Sequence, residues 1–204
     1  MQWRPTITGS DTSANQAASS VWLTGKLLIA MPRMSDSRFA HTVIYICAHS
    51  EDGAMGLIVN KLSDSITFKE LLEQVGVDNY DLQRDLPIHV GGPVEKARGF
   101  VLHGDDYEHD GTMEVENGIG LTASVDILRD VALGSGPRNC LLALGYSGWG
   151  AGQLEQEIQQ NGWLTAEADE ALIFGAGTDE DRWRTAIQKL GIDPSMLSST
   201  AGQA

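Results

Sequence analysis

Ser147 lies on a glycine-rich segment and is a residue of this sequence that could act as a catalytic nucleophile. Residues 145–158 read GYSGWGAGQLEQEI and follow an apolar run. A nucleophile elbow needs the pattern G-x-S-x-G, because glycines on both sides let the backbone bend sharply around a strained serine. Trp149 stands where the second glycine should be, and no histidine follows Ser147 in the chain. We therefore predict a strand-to-helix turn here and interpret Ser147 as a bystander without a catalytic role.

The same glycines raise a second possibility, a phosphate-binding turn. Backbone amides in a glycine-rich turn at a helix N-terminus can point at an anion. Neither G-x-x-x-x-G-K-[ST] nor G-x-G-x-x-G occurs in the chain, and the segment has no lysine. Two interpretations stay open: glycines that only permit the turn, or a loop that touches a ligand.

Cys47 and His49 are the residues that could form a thiol or metal centre. Alternate residues of a strand share one face, so both side chains are expected to point the same way. A zinc site needs three or four ligands, and no metal site is predicted. The two cysteines, Cys47 and Cys140, lie in apolar runs and give no disulfide framework. A buried thiol is the simpler interpretation, and the alternative is a reactive thiolate at Cys47 assisted by His49.

Nine further residues combine polar, aromatic or glycine character with positions at predicted strand ends and turns. Such positions often line binding sites. We hypothesise that they form one shared ligand pocket; the alternative is that Trp149 fills the core and the glycines make turns. No catalytic residue and no cofactor is assigned. The nine residues are Arg33, Asn60, Gly91, Gly92, Pro93, His103, Tyr146, Trp149 and Gln153.

The elements that must position these residues follow from the hydrophobic pattern. Apolar runs rich in β-branched residues predict strands, and a capping box of Thr67 and Glu70 predicts a helix start. Strands that pair locally, with scattered helices, indicate an α+β fold. The predicted strands are 25–30, 42–48, 54–60, 87–90, 99–103, 139–145, two short ones flanking 116–118, and 172–174; the predicted helices are 67–76, 124–133, 152–160 and 179–190.

The composition is that of an acidic globular protein. The chain has 204 residues, 28 of them acidic and 14 basic, and its formal net charge is −14. Phosphate backbones attract Lys and Arg, so direct nucleic-acid binding is not expected. No apolar run approaches the roughly 20 residues of a membrane-spanning helix, and no secretory signal is recognised. We therefore predict a cytoplasmic location without membrane association.

The domain organisation is predicted to be simple. Residues 1–20 are rich in Ser, Thr, Ala, Gln and Asn and are predicted to be a disordered tail. Residues 21–193 are predicted to form a single domain, and 194–204 a flexible C-terminal tail. A second copy of the chain could cover exposed sheet edges, so a homo-oligomer stays an open possibility.

Several separated motifs occur in one order along residues 21–193. Each combines glycines with apolar strand residues or with a polar strand end. They are 28–32 (LIAMP) with Met34, Asp36 and Phe39; His49; 53–61 (GAMGLIVNK); 91–94 (GGPV); 99–103 (GFVLH); 145–149 (GYSGW) with 152–155 (GQLE); and Arg182-Trp183.

In this set of motifs the chain resembles the YqgE/AlgH family of bacterial proteins. The resemblance implies an α+β fold in which a branched, strongly bent β-sheet curls into a partial barrel with helices packed around it. Members of the family are often labelled transcriptional regulators, but no common reaction or DNA-reading element is implied. The family usually has alanine at the position of Ser147, which further weakens the nucleophile interpretation.

Two functions from different classes remain open. The first is a non-enzymatic regulator that acts through a small ligand or a protein partner and does not read DNA directly. The alternative is an enzyme or a thiol-based redox sensor that uses Cys47 and a polar pocket.

Overall fold

A computed structural model describes residues 22–77 and 81–194. The predicted N-terminal tail, and the predicted C-terminal tail beyond Pro194, lie outside the described residues. The described elements are β1 (Lys26–Ala30), β2 (Val43–Ser50), β3 (Gly53–Ile58), α1 (Phe68–Gln74), β4 (Ile88–Val90), β5 (Val94–Gly104), β6 (Thr112–Glu114), β7 (Ile119–Thr122), α2 (Val125–Ala132), β8 (Cys140–Gly150), α3 (Gln153–Gln159), β9 (Trp163–Glu167), α4 (Glu170–Ile173) and α5 (Asp179–Lys189).

The strands form one curled, mainly antiparallel sheet in the order β6-β7-β5-β8-β3-β2-β1-β9, with β4 attached to β8 outside this path. The long strand β8 is the branch point. Its first half pairs with β5 on one side and, in parallel, with β4 on the other, whereas residues 147–150 pair with β3. The curled sheet is a half-barrel with helices around it, so the α+β prediction is confirmed.

In the part of the chain that the structure describes, three clusters of buried side chains join the helices to the sheet. The first cluster covers one face of the sheet under α4 and α5, and includes Tyr45, Met55, Phe100 and Trp183. The second lies between α1, α2 and the strands around β4, and the third lies under α3. Because helices cover parts of both faces, β2 and β3 are apolar on both sides, as their sequences predict.

Most predicted elements are present with small shifts in their bounds. The capping box that starts α1 is confirmed: the Glu70 N–H donates to Thr67 Oγ1 at 3.3 Å, and the Thr67 N–H donates to Glu70 Oε2 at 2.8 Å. Within α2 the buried residues are Ile127, Leu128, Val131 and Ala132, whereas Val125 is 38% exposed. No helix among the described residues is long and apolar enough to cross a membrane.

The predicted turn after residue 145 is wrong, because β8 runs on to Gly150 and α3 begins only at Gln153. Pairing with β3 over residues 147–150 keeps this segment extended. Gly145 has φ +72 and lies against the carbonyl oxygens of Gly92 and Val94. The glycine therefore permits a kink within β8, and it does not mark the end of the strand.

The predicted strand at 172–174 is also wrong. Residues Glu170–Ile173 form α4, whose first turn is capped by Asp169 Oδ1 accepting from the Ala171 N–H at 2.8 Å. The strand in this region is β9, which pairs with β1 and was not predicted. A three-residue apolar run carries no periodicity that separates a strand from a helical turn.

Candidate functional site

A cleft of about 820 Å³ opens where β3, β5, β6 and β8 meet. Its volume lies within the range of roughly 300–1,000 Å³ that is typical of small-molecule sites. Much of the lining is apolar and continues the first buried cluster beyond the part that α4 and α5 cover. The apolar and aromatic lining residues are Ala54, Met55, Val94, Phe100, Met113, Leu121, Ala123, Tyr146 and Trp149.

A bulge in β5 supplies the charged rim of the cleft. Val94 pairs with Tyr146 and the next pair is Gly99 with Leu144, so residues 95–98 loop out of the ladder. Glu95 takes the left-handed conformation, with φ +47. Such strained residues concentrate at functional sites.

The bulge places two opposite charges side by side above an aromatic ring. Arg98 Nη1 lies 3.1 Å from Glu95 Oε2, and both side chains are about half exposed. The guanidinium carbon of Arg98 lies 5.1 Å from the centroid of the Phe100 ring. Asp52, at the turn between β2 and β3, is a second carboxylate on the rim.

Tyr146 and Gly148 shape the floor of the cleft. The Tyr146 ring meets Phe100 edge to face, with centroids 5.9 Å apart. Within residues 22–77 and 81–194, no group bonds the Tyr146 hydroxyl, which leaves it available to a ligand. Gly148 is exposed and lines the cleft, and a Cβ there would meet a Tyr146 ring carbon at 3.2 Å.

Trp149 lies at the edge of the cleft and is anchored from behind by Glu157. The Trp149 Nε1–H donates to Glu157 Oε2 at 3.0 Å, and the Trp163 Nε1–H donates to the same oxygen at 2.8 Å. Gln153 Nε2 donates to Glu157 Oε1 at 2.9 Å. The Glu157 carboxylate on α3 therefore joins β8 to β9. Gln153 hydrogen-bonds to this carboxylate and does not line the cleft.

The Gly91-Gly92-Pro93 segment and Ser147 form a close backbone crossing behind the cleft. The buried Ser147 hydroxyl donates to the Gly91 carbonyl at 3.2 Å, and the Ile58 N–H donates to the same carbonyl at 2.9 Å. A Cβ on Gly92 would lie 2.2 Å from the Tyr146 carbonyl. These contacts give Ser147 and the two glycines structural roles, and Pro93 follows them without lining the cleft.

Asn60 and Arg33 lie away from the cleft. Asn60 is fully buried: its Oδ1 accepts from the Val43 N–H at 2.7 Å, and its Nδ2 donates to the carbonyls of His41 and Asp179 at 2.9 and 2.8 Å. Every hydrogen-bonding atom of its side chain is thus used in tying β2 to α5. Arg33 is exposed on the segment after β1.

His103 lines a different cavity of about 550 Å³, whose walls carry Asp105, Glu108, Glu114 and Glu116. Its Nδ1 lies 2.8 Å from the Gly104 carbonyl, and its Nε2 lies 2.8 Å from Thr122 Oγ1. The nine predicted residues therefore do not meet in one pocket. Tyr146 and Trp149 line the cleft, His103 lines the second cavity, and the other six line neither.

The predicted pairing of Cys47 with His49 on one face is wrong. Ile46 pairs with Gly56 and Ala48 with Met55, so Cys47 is an extra residue that reverses the alternation of β2. Cys47 packs in the first cluster, whereas His49 lies opposite Ala54 and its Nε2 is 2.8 Å from Glu155 Oε1 on α3. Burial raises the pKa of the Cys47 thiol to about 12, so the thiol is protonated at neutral pH.

The residues that sequence reasoning missed are those of the cleft lining and rim, such as Asp52, Met55, Arg98 and Phe100. In the sequence, Met55 and Phe100 have the pattern of ordinary core residues. The alternation of apolar residues along a strand shows which face of the sheet is buried, but it does not show where the helices that cover this face end. A signal was present at 95–98, where charged residues interrupt an apolar strand. Among the described residues, no group of three or more His, Cys, Asp or Glu side chains could hold a metal ion.

Comparison with known proteins shows strong similarity along nearly the whole chain. A family model described as AlgH-like matches residues 27–195. A UPF0301 protein of Afipia carboxidovorans is 52% identical, over 96% of this chain and 98% of that protein. Another, of Bradyrhizobium diazoefficiens, is 51% identical, over 97% of each chain.

Solved structures agree with this assignment. The solution structure of the AlgH protein from Pseudomonas aeruginosa is 40% identical with a TM-score of 0.73, and the match covers 97% of this chain and 100% of that one. A crystal structure from Corynebacterium diphtheriae shares the fold, with a TM-score of 0.68 at 21% identity over 87% of this chain and 92% of that one. The chain therefore belongs to the AlgH-like family of UPF0301 proteins.

Proposed function

We propose that this protein is a non-enzymatic, cytoplasmic regulator that binds a small ligand in the cleft between β3, β5, β6 and β8. The observation that carries the proposal is the cleft itself: a ligand-sized space with an apolar lining and few polar groups at its rim. This combination is typical of small-molecule sites, where apolar walls give affinity and a few polar groups orient the ligand.

The contacts of the two nucleophile candidates favour binding over catalysis. The Ser147 hydroxyl is buried and donates to a backbone carbonyl. The Cys47 thiol is buried, its pKa is raised, and it does not share a face with His49. Because a thiolate is the reactive form of cysteine, the enzyme or redox-sensor alternative lacks an activated nucleophile at these two positions.

The charge of the protein favours regulation through a ligand or a protein partner over direct DNA reading. The formal net charge is −14, and the cleft rim carries Asp52 and Glu95. A phosphate backbone would be repelled by this distribution, because neutralising basic residues supply most non-specific affinity for nucleic acids.

A thermal-shift screen against metabolites tests the proposal. We expect at least one metabolite to raise the melting temperature, since a ligand at a hundredfold excess over its Kd stabilises the native state by about 2.7 kcal/mol. Gly148→Leu should abolish the shift by filling the cleft floor. Gly150→Leu is the matched control: it lies on the same strand outside the lining, and a Cβ there meets no atom nearer than 3.9 Å.

Two results would contradict the proposal. A shift that persists in Gly148→Leu at full size would place the ligand outside the cleft. Chemical conversion of the stabilising metabolite, followed by mass spectrometry over hours, would show that the protein is an enzyme.

A further inference from the structure

We infer that the cleft selects a small organic cation, in which a positively charged nitrogen is attached to a flat apolar body. This inference rests on the proposed function and adds the chemical class of the ligand. Among the described residues, three charged ones line the cleft, Asp52, Glu95 and Arg98, and their arrangement decides which ligand charge the cleft favours.

The positive charge on the rim is already paired. Arg98 Nη1 lies 3.1 Å from Glu95 Oε2, and the guanidinium covers the Phe100 ring. An anionic ligand would therefore have to compete with Glu95 for Arg98. It would also have to approach a protein whose formal net charge is −14, against the long-range field that charge produces.

The negative charge of Asp52 is not paired. Asp52 is exposed, and no cation contacts its carboxylate within the part of the chain that the structure describes. With Glu95 and Arg98 compensating each other, the lining has one uncompensated negative charge. A ligand ammonium group near the rim would neutralise it.

The aromatic lining favours the same charge. Tyr146 lines the cleft and is partly exposed, and the face of an aromatic ring attracts cations. Met55 and Met113 add flexible, polarizable side chains that adapt to a flat apolar body. An amine with an aromatic or aliphatic body therefore matches both the walls and the rim.

Three dansyl probes with one fluorophore and different charges test this inference: dansylamide (neutral), dansylcadaverine (cationic) and dansylglycine (anionic). We expect dansylcadaverine to bind about fivefold more tightly than dansylamide at low ionic strength. This is the gain expected when an exposed ammonium group contacts an aromatic ring and a carboxylate. Dansylglycine should bind more weakly than dansylamide. Raising the salt concentration should reduce both differences, because surface charges are screened.

Asp52→Asn separates the charge of the rim from the apolar contacts. It should remove most of the preference for dansylcadaverine, measured as the ratio of its Kd to that of dansylamide in the same variant, and asparagine is accepted in turns. Asp64→Asn is the matched control, because Asp64 is also exposed but does not line the cleft. This variant should keep the full preference.

The outcomes separate the two proposals. Equal affinities for the three probes, or tightest binding of dansylglycine, would overturn the cation preference and leave the cleft as a binding site. An unchanged preference in Asp52→Asn would overturn the role of Asp52 and with it this inference. Absence of binding of all three probes would overturn both the inference and the proposed function.

Discussion

At the scale of single residues, the polar side chains discussed above divide into two groups. Some form hydrogen bonds with other parts of the chain, and others have no such partner among the described residues. Asn60, Ser147 and Glu157 each bond groups from other parts of the chain. Asn60 and Ser147 are buried, and buried polar groups are costly to leave unpaired. Asp52 and Tyr146 line the cleft, and neither side chain has such a polar partner among the described residues. The second group, and not the first, is where a ligand would be recognised.

Residue types alone could not make this division. Asn60 and Gln153 are polar residues near glycines, and this made them pocket candidates. Their amide groups instead form hydrogen bonds with other groups of the chain. The sequence predicts that a buried amide must find partners. It does not show whether those partners are backbone groups or a ligand, because that depends on which elements meet.

Glu157→Ala tests the anchoring role of this carboxylate. The Nε1–H groups of Trp149 and Trp163 would lose their acceptor, and both side chains are at least nine-tenths buried. We expect the free energy of unfolding to fall by about 2 kcal/mol, as for lost hydrogen bonds to a charged group. Urea denaturation measures the change.

Glu157→Gln is the control for that variant, because its amide oxygen can still accept from the tryptophans while the charge is lost. It should cost less than the alanine substitution. A loss of under about 0.5 kcal/mol in Glu157→Ala, the scale of an ordinary surface substitution, would show that the carboxylate does not anchor the two rings.

At the scale of elements, hydrophobic patterning predicted most strands and helices but neither bulge. Alternation assumes that each residue of a strand opposes one residue of its partner. The extra residue Cys47 breaks that assumption in β2 and sends His49 to α3. The bulge at 95–98 does the same in β5 and builds the rim of the cleft. Both features depend on the register of the partner strand, which is not encoded locally.

His89 gives the packing of β4 against β8 a dependence on pH. It is buried, its Nδ1 lies 3.3 Å from the Leu142 carbonyl, and burial, aided by the charge of Arg182, lowers its pKa to about 4. The unfolded chain, with a histidine pKa near 6.5, binds more protons between these values. Stability is therefore expected to rise with pH through this window and to be lost as the pH falls from about 6.5 toward 4.

The difference in unfolding free energy between pH 7.5 and pH 4.5 measures this effect. We expect His89 to contribute about 2 kcal/mol to that difference, seen as a shallower pH dependence in His89→Gln than in the native sequence. Carboxylates titrate equally in both proteins, so the comparison isolates His89. Parallel pH profiles would contradict the assignment.

At the scale of the whole molecule, the proposed function follows from how the half-barrel is covered. α4 and α5 pack on one part of the face that carries the first cluster, and the cleft opens on that face where they do not reach. The sequence predicts the fold class and the family, because both depend on motifs distributed along the chain. It does not predict which part of the face stays open, because that depends on where helices after β9 pack.

The most direct test of ligand binding in the cleft is a fluorescence titration of dansylamide into the native protein, Gly148→Leu and Gly150→Leu. We predict saturable binding to the native protein, at least a tenfold weaker Kd in Gly148→Leu, whose side chain would occupy the cleft floor, and a Kd within about twofold of native in Gly150→Leu. Equal affinity in all three proteins, or no saturable binding to the folded native chain, would contradict the proposed function.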